Sequence, residues 1–259
     1  MRINTNVSAL DTIRNLGNTQ NALASSTAKL SSGFRINKAS DDAAGLAIAN
    51  KLRNTGRALG AAAKNVEQGT AMLQIADGSL QSIASILDRM KELSTQYGSA
   101  NTGTDAQTNI SAEFDVLKTE IDRIVSTATY EGSDLLGQSL GFTVDATGTA
   151  DDTVTADLSS VSISAASLAV GTPAGVDTLL DSVNTAIGTV GAAESQLDFA
   201  SKNLASKIEN TAAAESTIRD VDMAAEMANF SKSQILAQAG MSVLSQANSN
   251  AQSVLQLFR

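Results

Sequence analysis

The residues that could do chemistry in this chain are almost all carboxylates, because its 259 residues include no His and no Cys. A Ser-His-Asp triad, a Cys nucleophile, an imidazole or thiolate zinc site and a disulfide framework are therefore excluded. Two acidic pairs remain as candidates, Asp41-Asp42 after Ser40 and Asp151-Asp152 in a segment rich in Gly and Thr. Carboxylate oxygens are the ligands that hard cations such as calcium prefer.

Neither acidic pair predicts a metal site. Acidic residues at the start of a helix offset its positive end, so Asp41 and Asp42 predict a helix cap. Asp151-Asp152 lacks the alternating spacing of a calcium loop and predicts a solvated loop tip. There is no phosphate-binding or dinucleotide fingerprint, and a pI near 4.5 disfavours nucleic acid. We expect no metal and no cofactor, whereas chemistry that uses carboxylates alone stays open at this point.

The elements of the chain follow from a seven-residue apolar repeat. One core position of the repeat is filled by Leu52, Leu59, Val66, Leu73, Leu80 and Leu87. A second set from Ile48 to Tyr97 fills the other core position, which predicts a long coiled-coil helix with this seam. Aromatic residues make up only 3% of the chain, so packed helices are a better prediction than a round core.

Further elements flank this helix. Apolar spacing predicts a third helix from about Ile110 to Ile124, antiparallel to the second because the connection is short. Gly141–Asp145 and Thr153–Leu158 predict two strands of a small hairpin. Thr172-Pro173 predicts the start of a fourth helix. No apolar run is long enough to span a membrane, and the first residues do not resemble a cleavable export signal. The predicted class is mainly α, a long antiparallel coiled-coil bundle with a small β-hairpin.

The two terminal segments carry apolar stripes that lack a partner of their own apart from each other. The N-terminal set, predicted to lie on one narrow stripe together with Ile13, comprises Ile3, Val7, Leu10, Leu16, Leu23 and Leu30. The C-terminal set comprises Leu236, Met241, Val243, Leu244, Val254, Leu255 and Phe258. Pairing the two segments buries roughly ten large side chains at about 1.5–3 kcal/mol each. Ordering about seventy residues costs about 1–2 kcal/mol apiece. We therefore expect both ends to be loose in the monomer and to become ordered among copies of the same chain.

Charge is distributed unevenly along the sequence. Residues 1–64 hold nine Lys or Arg against Asp11, Asp41 and Asp42, whereas 124–201 hold ten acidic residues and no Lys or Arg. Residues 233–258 hold no charge. The acidic middle predicts a solvated, self-repelling surface, and the uncharged C-terminal helix predicts burial against other helices.

Particular stretches of the sequence resemble bacterial flagellin. The most specific stretch runs from Leu30 to Ala49 and contains Ser-Gly-Phe-Arg-Ile and Asp-Asp-Ala-Ala-Gly-Leu-Ala. The opening Arg2–Leu10, the closing Ser231–Gly240 and the segment Glu120–Ile124 are also similar to that family. Only the stretch around 137–172 has no such match, so the chain resembles a short flagellin without large outer domains.

The resemblance implies a division into functional segments. Residues 1–44 would form an N-terminal filament-core helix with its connecting spoke, 45–136 the helices of a rod domain and 137–172 a short variable region. Residues 173–218 would form the C-terminal rod helix and 219–259 the C-terminal core helix. The implied function is a subunit that self-assembles into the flagellar filament for swimming motility. Such a subunit works by polymerisation and not by catalysis, so the resemblance implies no catalytic residue and a protein that is not an enzyme. A hook–filament junction protein, or a filament subunit with an additional adhesive role, is the alternative.

The resemblance also implies partners. They are further copies of the chain in a helical filament, an export chaperone at the C-terminus, and the filament cap and hook-junction proteins. Export would be through the flagellar type III apparatus to the outside of the cell, or to the periplasm if the flagellum is internal. A vertebrate Toll-like receptor would read Arg89, Leu93 and Gln96, with Glu113 on the next helix. Their spacing of four and three predicts one exposed helical face.

Overall fold

The fold is described for residues 6–145, 152–159 and 168–257 of a computed structural model. Within these ranges there are five helices and four short strands. The helices are α1 (Val7–Ser32), α2 (Ala43–Tyr97), α3 (Thr104–Thr127), α4 (Pro173–Arg219) and α5 (Met223–Leu257). The strands are β1 (Thr129–Tyr130), β2 (Ser133–Asp134), β3 (Ser139–Thr143) and β4 (Thr153–Asp157). The predicted mainly α class with a small β region is confirmed.

The chain forms two compact units. The first consists of residues 1–54 and 211–259, and the second of residues 55–210. Helices α2 and α4 each contribute residues to both units, so the units are not separate stretches of sequence. The continuous apolar core lies in the second unit, whereas the first unit buries few side chains, among them Ala9, Ile36 and Ala49.

The core of the second unit follows the heptad repeat of α2. Leu59, Val66, Leu73, Leu80 and Leu87 are all at most 3% exposed, while Leu52, in the first unit, is half-buried. Helix α3 runs antiparallel to α2, because Gln107 Nε2 donates to the carbonyl of Tyr97 and Arg89 Nε donates to Glu113 Oε1. The apolar faces of α3 and α4 complete the cluster, with Phe114, Ile121, Val183, Val190 and Leu197 fully buried.

The strands form two antiparallel pairs in the second unit. In the β3–β4 pair Ser139 lies opposite Asp157 and Thr143 opposite Thr153, which confirms the predicted strand pairing. The inward side chains of this pair, including Leu140, Phe142 and Ala156, join the helical core. The β1–β2 pair was not predicted. It is closed by Glu131 and Gly132, both with positive φ (49° and 83°), as a tight two-residue hairpin turn requires.

Three helix ends follow local sequence signals. Asp42 precedes α2 and accepts a hydrogen bond from the Gly45 N–H at 2.8 Å, which satisfies one free donor of the first turn. Helix α4 begins at Pro173, as predicted. Helix α1 ends at Gly33, whose φ of 74° is the left-handed conformation that lets its N–H bond the carbonyl of Lys29.

Candidate assembly surface

Helices α1 and α5 pack against each other, antiparallel, in the first unit. At one end Asn6 Nδ2 donates to the carbonyl of Ala247 at 3.1 Å, and towards the other end Ser26 Oγ donates to Glu226 Oε1 at 2.5 Å. Between them Leu16 lies so close to Gly240 that an added Cβ there would be 3.3 Å from Leu16 Cδ1. The small side chain at residue 240 thus permits close approach of the two helices.

The seam between these helices is narrow and built largely from small or polar residues. The buried and half-buried positions recur at steps of three and four. On α1 they include Ala9, Thr12, Leu16, Thr19, Leu23, Ser26 and Leu30, and on α5 they include Phe230, Ser233, Ala237, Gly240, Leu244 and Ala247. Among the predicted core-packing residues, Leu16, Leu23, Leu30 and Leu244 therefore belong to this intramolecular seam.

A second group of predicted core-packing residues lies outside the seam. Val7 and Leu10 are 58% and 56% exposed, and the neighbouring Ile13 is 52% exposed. The prediction that these residues share one stripe with Leu16 is wrong. The positions that turn towards α5 at this end are Ala9 and Thr12, which leaves the three larger side chains outside the side of α1 that faces α5.

Helix α5 also exposes large apolar side chains outside the seam. Leu236, Met241 and Val243 are 49–55% exposed, and Ile235, which the prediction omitted, is 66% exposed. Met223 and Met227 extend this exposed apolar set towards the start of the helix. A soluble monomer rarely exposes so many large apolar side chains on one pair of helices, and such a surface is typical of a site where other chains bind.

Four predicted core-packing residues cannot be placed. Ile3 and Phe258 lie outside the described residues, and the side chains of Val254 and Leu255 lie outside the described part as well.

The segment after α1 is held to the junction of α4 and α5. Arg35 N donates to the carbonyl of Arg219 at 2.7 Å, and Val221 N donates to that of Gly33 at 3.0 Å. The guanidinium of Arg219 stacks on the Phe34 ring, 4.0 Å from its centroid. The Ser-Gly-Phe-Arg-Ile stretch therefore contacts the junction of α4 and α5 through two backbone hydrogen bonds and one ring contact.

The acidic pair that follows this segment acts as a pair of caps. Asp41 Oδ2 accepts hydrogen bonds from the N–H groups of Lys38 and Asn37 at 2.9 and 3.1 Å. These bonds, the one from Lys38 foremost, lower the pKa of Asp41. Asp42 caps α2, as described above, so the helix-capping prediction is confirmed for Asp42, whereas Asp41 caps the preceding turn and not the helix.

The residues predicted for receptor recognition lie in the second unit, and the structure separates them. Arg89 Nη2 and Glu113 Oε1 are 2.9 Å apart across α2 and α3, and the hydrogen bond from Arg89 to Glu113 raises the pKa of Arg89. Gln96 is exposed. Leu93 is only 1% exposed, so the prediction that it shares an outward face with Arg89 is wrong.

The burial of Leu93 has a physical reason. On one side of α2 Arg89 reaches α3, and on another Lys91 reaches Asp177 of α4 at 2.6 Å. Two neighbouring helices widen the buried arc of α2 beyond a single heptad seam. Leu93 and Ser94 both fall inside this arc.

No helix in the described ranges is both long and apolar enough to cross a membrane. In those ranges no group of His, Cys, Asp or Glu side chains could hold a metal ion.

Large apolar side chains exposed on a pair of helices are typical of a helical structural protein that binds other chains. Comparison with known families agrees. Residues 3–140 match the family model of the bacterial flagellin N-terminal helical region, and 174–258 match that of the C-terminal helical region. The stretch between the two matches lies close to the predicted variable region of 137–172.

Known proteins match over the whole chain. A flagellin from Halalkalibacterium halodurans is 38% identical over 272 residues, with all of both chains covered. A flagellar filament 30.7 kDa core protein from Treponema maltophilum is 36% identical over 288 residues, again with both chains fully covered. A crystal structure of Bacillus cereus flagellin is 22% identical with a TM-score of 0.42, covering 57% of this chain and 88% of that one.

The chain belongs to the flagellin family. It is a subunit of the bacterial flagellar filament, a homo-oligomeric structural protein and not an enzyme. The hook–filament junction protein and the additional adhesive role are not favoured.

Several residues that shape the assembly surface escaped sequence reasoning. The exposed apolar residue Ile235 carries the same apolar signal as its neighbours, and a helical-wheel assignment with a correct seam would have found it. The contact between Phe34 and Arg219 has no such signal, because 185 positions separate the two residues. The backbone hydrogen bonds beside it do not depend on residue type, so the sequence does not indicate them either.

Proposed function

We propose that this filament subunit polymerises by burying the outer faces of α1 and α5 against neighbouring copies. The observation that supports the proposal is the set of large apolar side chains on these helices that are exposed outside the α1–α5 seam, which includes Val7, Leu10, Ile235 and Met241. Each such side chain contributes about 1.5–3 kcal/mol when it is fully buried. Because the seam itself is small and partly polar, much of the apolar area of these helices becomes buried only on association.

In this proposal each segment of the chain forms a different part of the filament subunit. Residues 1–44 and 219–259 form the filament core and its connecting spoke. Residues 45–136 and 173–218 form the rod domain, whose seam from Leu52 to Leu87 keeps its helices together, and 137–172 form the short variable region. The family matches at both ends of the chain and the heptad burial of α2 support this division.

Seeded polymerisation tests the proposed assembly surface. Purified chain is added to sheared filament seeds, and filament length is measured by electron microscopy together with the concentration of chain that stays unpolymerised. Ile235→Ser removes an exposed apolar side chain from α5 and is expected to raise this critical concentration about tenfold, the equivalent of about 1.4 kcal/mol. Gln238→Ser, an exposed polar position of the same helix, is the matched control and is expected to polymerise normally.

A truncated chain provides the stronger version of the experiment. Deletion of residues 1–30 removes most of α1, and the shortened chain is expected to form no filaments. Normal polymerisation of that chain, or of Ile235→Ser, would contradict the proposed surface.

Export and delivery would involve further partners. The chain would pass unfolded through the flagellar type III apparatus, with a chaperone covering its C-terminal helix, and would be placed beneath the filament cap beyond the hook-junction proteins. The exposed apolar face of α5 and the absence of charge from 233 to 258 support a chaperone at this end. The filament would be extracellular, or periplasmic if the flagellum is internal. Fractionation of cells carrying the chain distinguishes the two.

Recognition by a vertebrate Toll-like receptor is a second proposed role. It is supported by the exposed Arg89–Glu113 pair and the exposed Gln96, which lie on α2 and α3. Leu93 would act from beneath this surface, by fixing the position of α3. In a receptor reporter assay Arg89→Ala is expected to lower the response about tenfold, as loss of a charged contact residue typically does. Arg123→Ala removes a similar surface ion pair on α3 and is the control. Equal responses from both variants would overturn this role.

A further inference from the structure

The second unit carries a groove that no function described above uses. It lies between α2 and α4, has a volume of about 630 Å³, and is open on one side. Its floor contains the buried Val66 and Leu197, together with the small Ala63 and Ala71. Four charged side chains line it. Lys64 and Glu67 come from α2, and Glu194 and Asp198 come from α4.

The groove has an excess of negative charge. Asp198 is paired with Lys202 at 2.6 Å, but in the described part of the chain Glu67 and Glu194 have no salt-bridge partner. Burial and the nearby charge of Asp77 raise the pKa of Glu194, in that order of importance. A carboxylate in such a place gains stability from any cation brought to it.

Among the described residues there are also exposed cations that form no salt bridge. Residues 29–57 contain six Lys or Arg against Asp41 and Asp42. Lys38, Lys51 and Arg57 are exposed, and none has a carboxylate within salt-bridge distance among the described residues. A protein of net charge −9 that leaves a basic segment unneutralised has a surface suited to an acidic partner.

We propose that in the filament the basic segment 29–57 of a second copy lies over the α2–α4 groove. The inference rests on the proposed polymerisation, which brings copies of the chain together, and adds a contact made by the second unit. The apolar floor accepts the aliphatic stems of Lys and Arg, while the acidic lining binds their charged ends. The charge pattern also disfavours wrong alignments, because groove against groove and basic segment against basic segment repel.

Charge reversal in seeded polymerisation tests the proposal. The groove variant carries Glu67→Lys and Glu194→Lys, and the segment variant carries Lys51→Glu and Arg57→Glu. Each is expected to raise the critical concentration about tenfold or more. A chain with all four changes has the charges exchanged rather than lost and is expected to recover to within about threefold of the wild type.

Two controls separate assembly from folding and from net charge. Thermal unfolding of each monomer followed by circular dichroism identifies variants that fail to fold, and any such variant is replaced by its Gln counterpart. Asp115→Lys with Asp122→Lys makes the same change in net charge at exposed positions of α3 and is expected to polymerise like the wild type.

The outcomes distinguish this inference from the proposed function. If the wild type grows from seeds and the folded groove variant grows equally well, the groove does not receive a second copy and the proposal is overturned, whereas polymerisation itself stands. If each reversal impairs growth but the four-change chain recovers nothing, the two surfaces do not meet, which also overturns it. If the wild type does not grow from seeds, the proposed function fails first.

Discussion

The ring of Phe142, on strand β3, lies directly over Gly69 of α2. A Cβ at residue 69 would be 2.7 Å from Cδ1 of that ring and 3.0 Å from Cγ, closer than side chains pack. Phe142 is buried, and it belongs to the same core cluster as the α2 heptad residues. The β3–β4 pair thus packs on α2 through the ring of Phe142, and it can do so because residue 69 is a glycine.

Gly69→Ala tests this seating. Helix propensity alone favours Ala over Gly by about 1 kcal/mol. Displacement of the Phe142 ring from a packed core costs about 1–3 kcal/mol, so a net loss of stability is expected. The melting temperature of the monomer measures it. Gly78→Ala, in the same helix with open space around it, is the control and is expected to stabilise by up to about 1 kcal/mol. If both variants shift in the same direction, the ring does not limit residue 69.

Asp42→Ala tests the cap of α2. Loss of the hydrogen bond to the Gly45 N–H is expected to cost about 0.5–2 kcal/mol. Hydrogen exchange of the amides at 43–46 should therefore speed up in the monomer. Asp88→Ala, at an exposed mid-helix position, is expected to leave these amides unchanged. Unchanged exchange in Asp42→Ala would show that the cap does not stabilise this end.

Glu194→Gln tests the charge in the α2–α4 groove through pH. The pKa of Glu194 is higher in the folded chain than in the unfolded chain. Its ionised form therefore destabilises the fold above the ordinary pKa of a glutamate, and stability increases as pH falls through the folded pKa. Near the carboxylate are Asp77 and Glu67 on α2, and Asp198 on its own helix, with Lys64 as the groove's cation.

The variant is accordingly expected to melt at a higher temperature than the wild type at pH 7, because Gln carries no charge to desolvate. The difference should vanish near pH 4, where the wild-type side chain is protonated as well. A difference that grows on acidification would contradict the assignment.

Much of the second unit could be predicted, because a heptad repeat indicates which side chains of a helix are buried even when the partner helix is unknown. Leu59 to Leu87 occupy the predicted seam, and Pro173 begins α4 as predicted. Leu93 was misassigned because spacing along one helix does not say how many helices surround it. Val7 and Leu10 were misassigned because Leu16 was placed on their stripe, whereas Ala9 and Thr12 are the residues that turn inward.

The contacts of Gly33, Phe34 and Arg35 with residues 218–221 were beyond sequence reasoning. They are made mainly by backbone groups, which every residue has, and they join positions near opposite ends of the chain. The capping of α2 by Asp42 was predictable because it depends on residues three positions apart.

The central claim is that the outer faces of α1 and α5 stay exposed until copies of the chain cover them. Amide hydrogen exchange of the dilute monomer and of the assembled filament, followed by mass spectrometry, measures this directly. Within 7–32 and 223–257 exchange is expected to be about 100-fold slower or more in the filament, while 73–90 of the α2 core change little. Full protection of the two terminal helices in the dilute monomer, equal to that in the filament, would contradict the account.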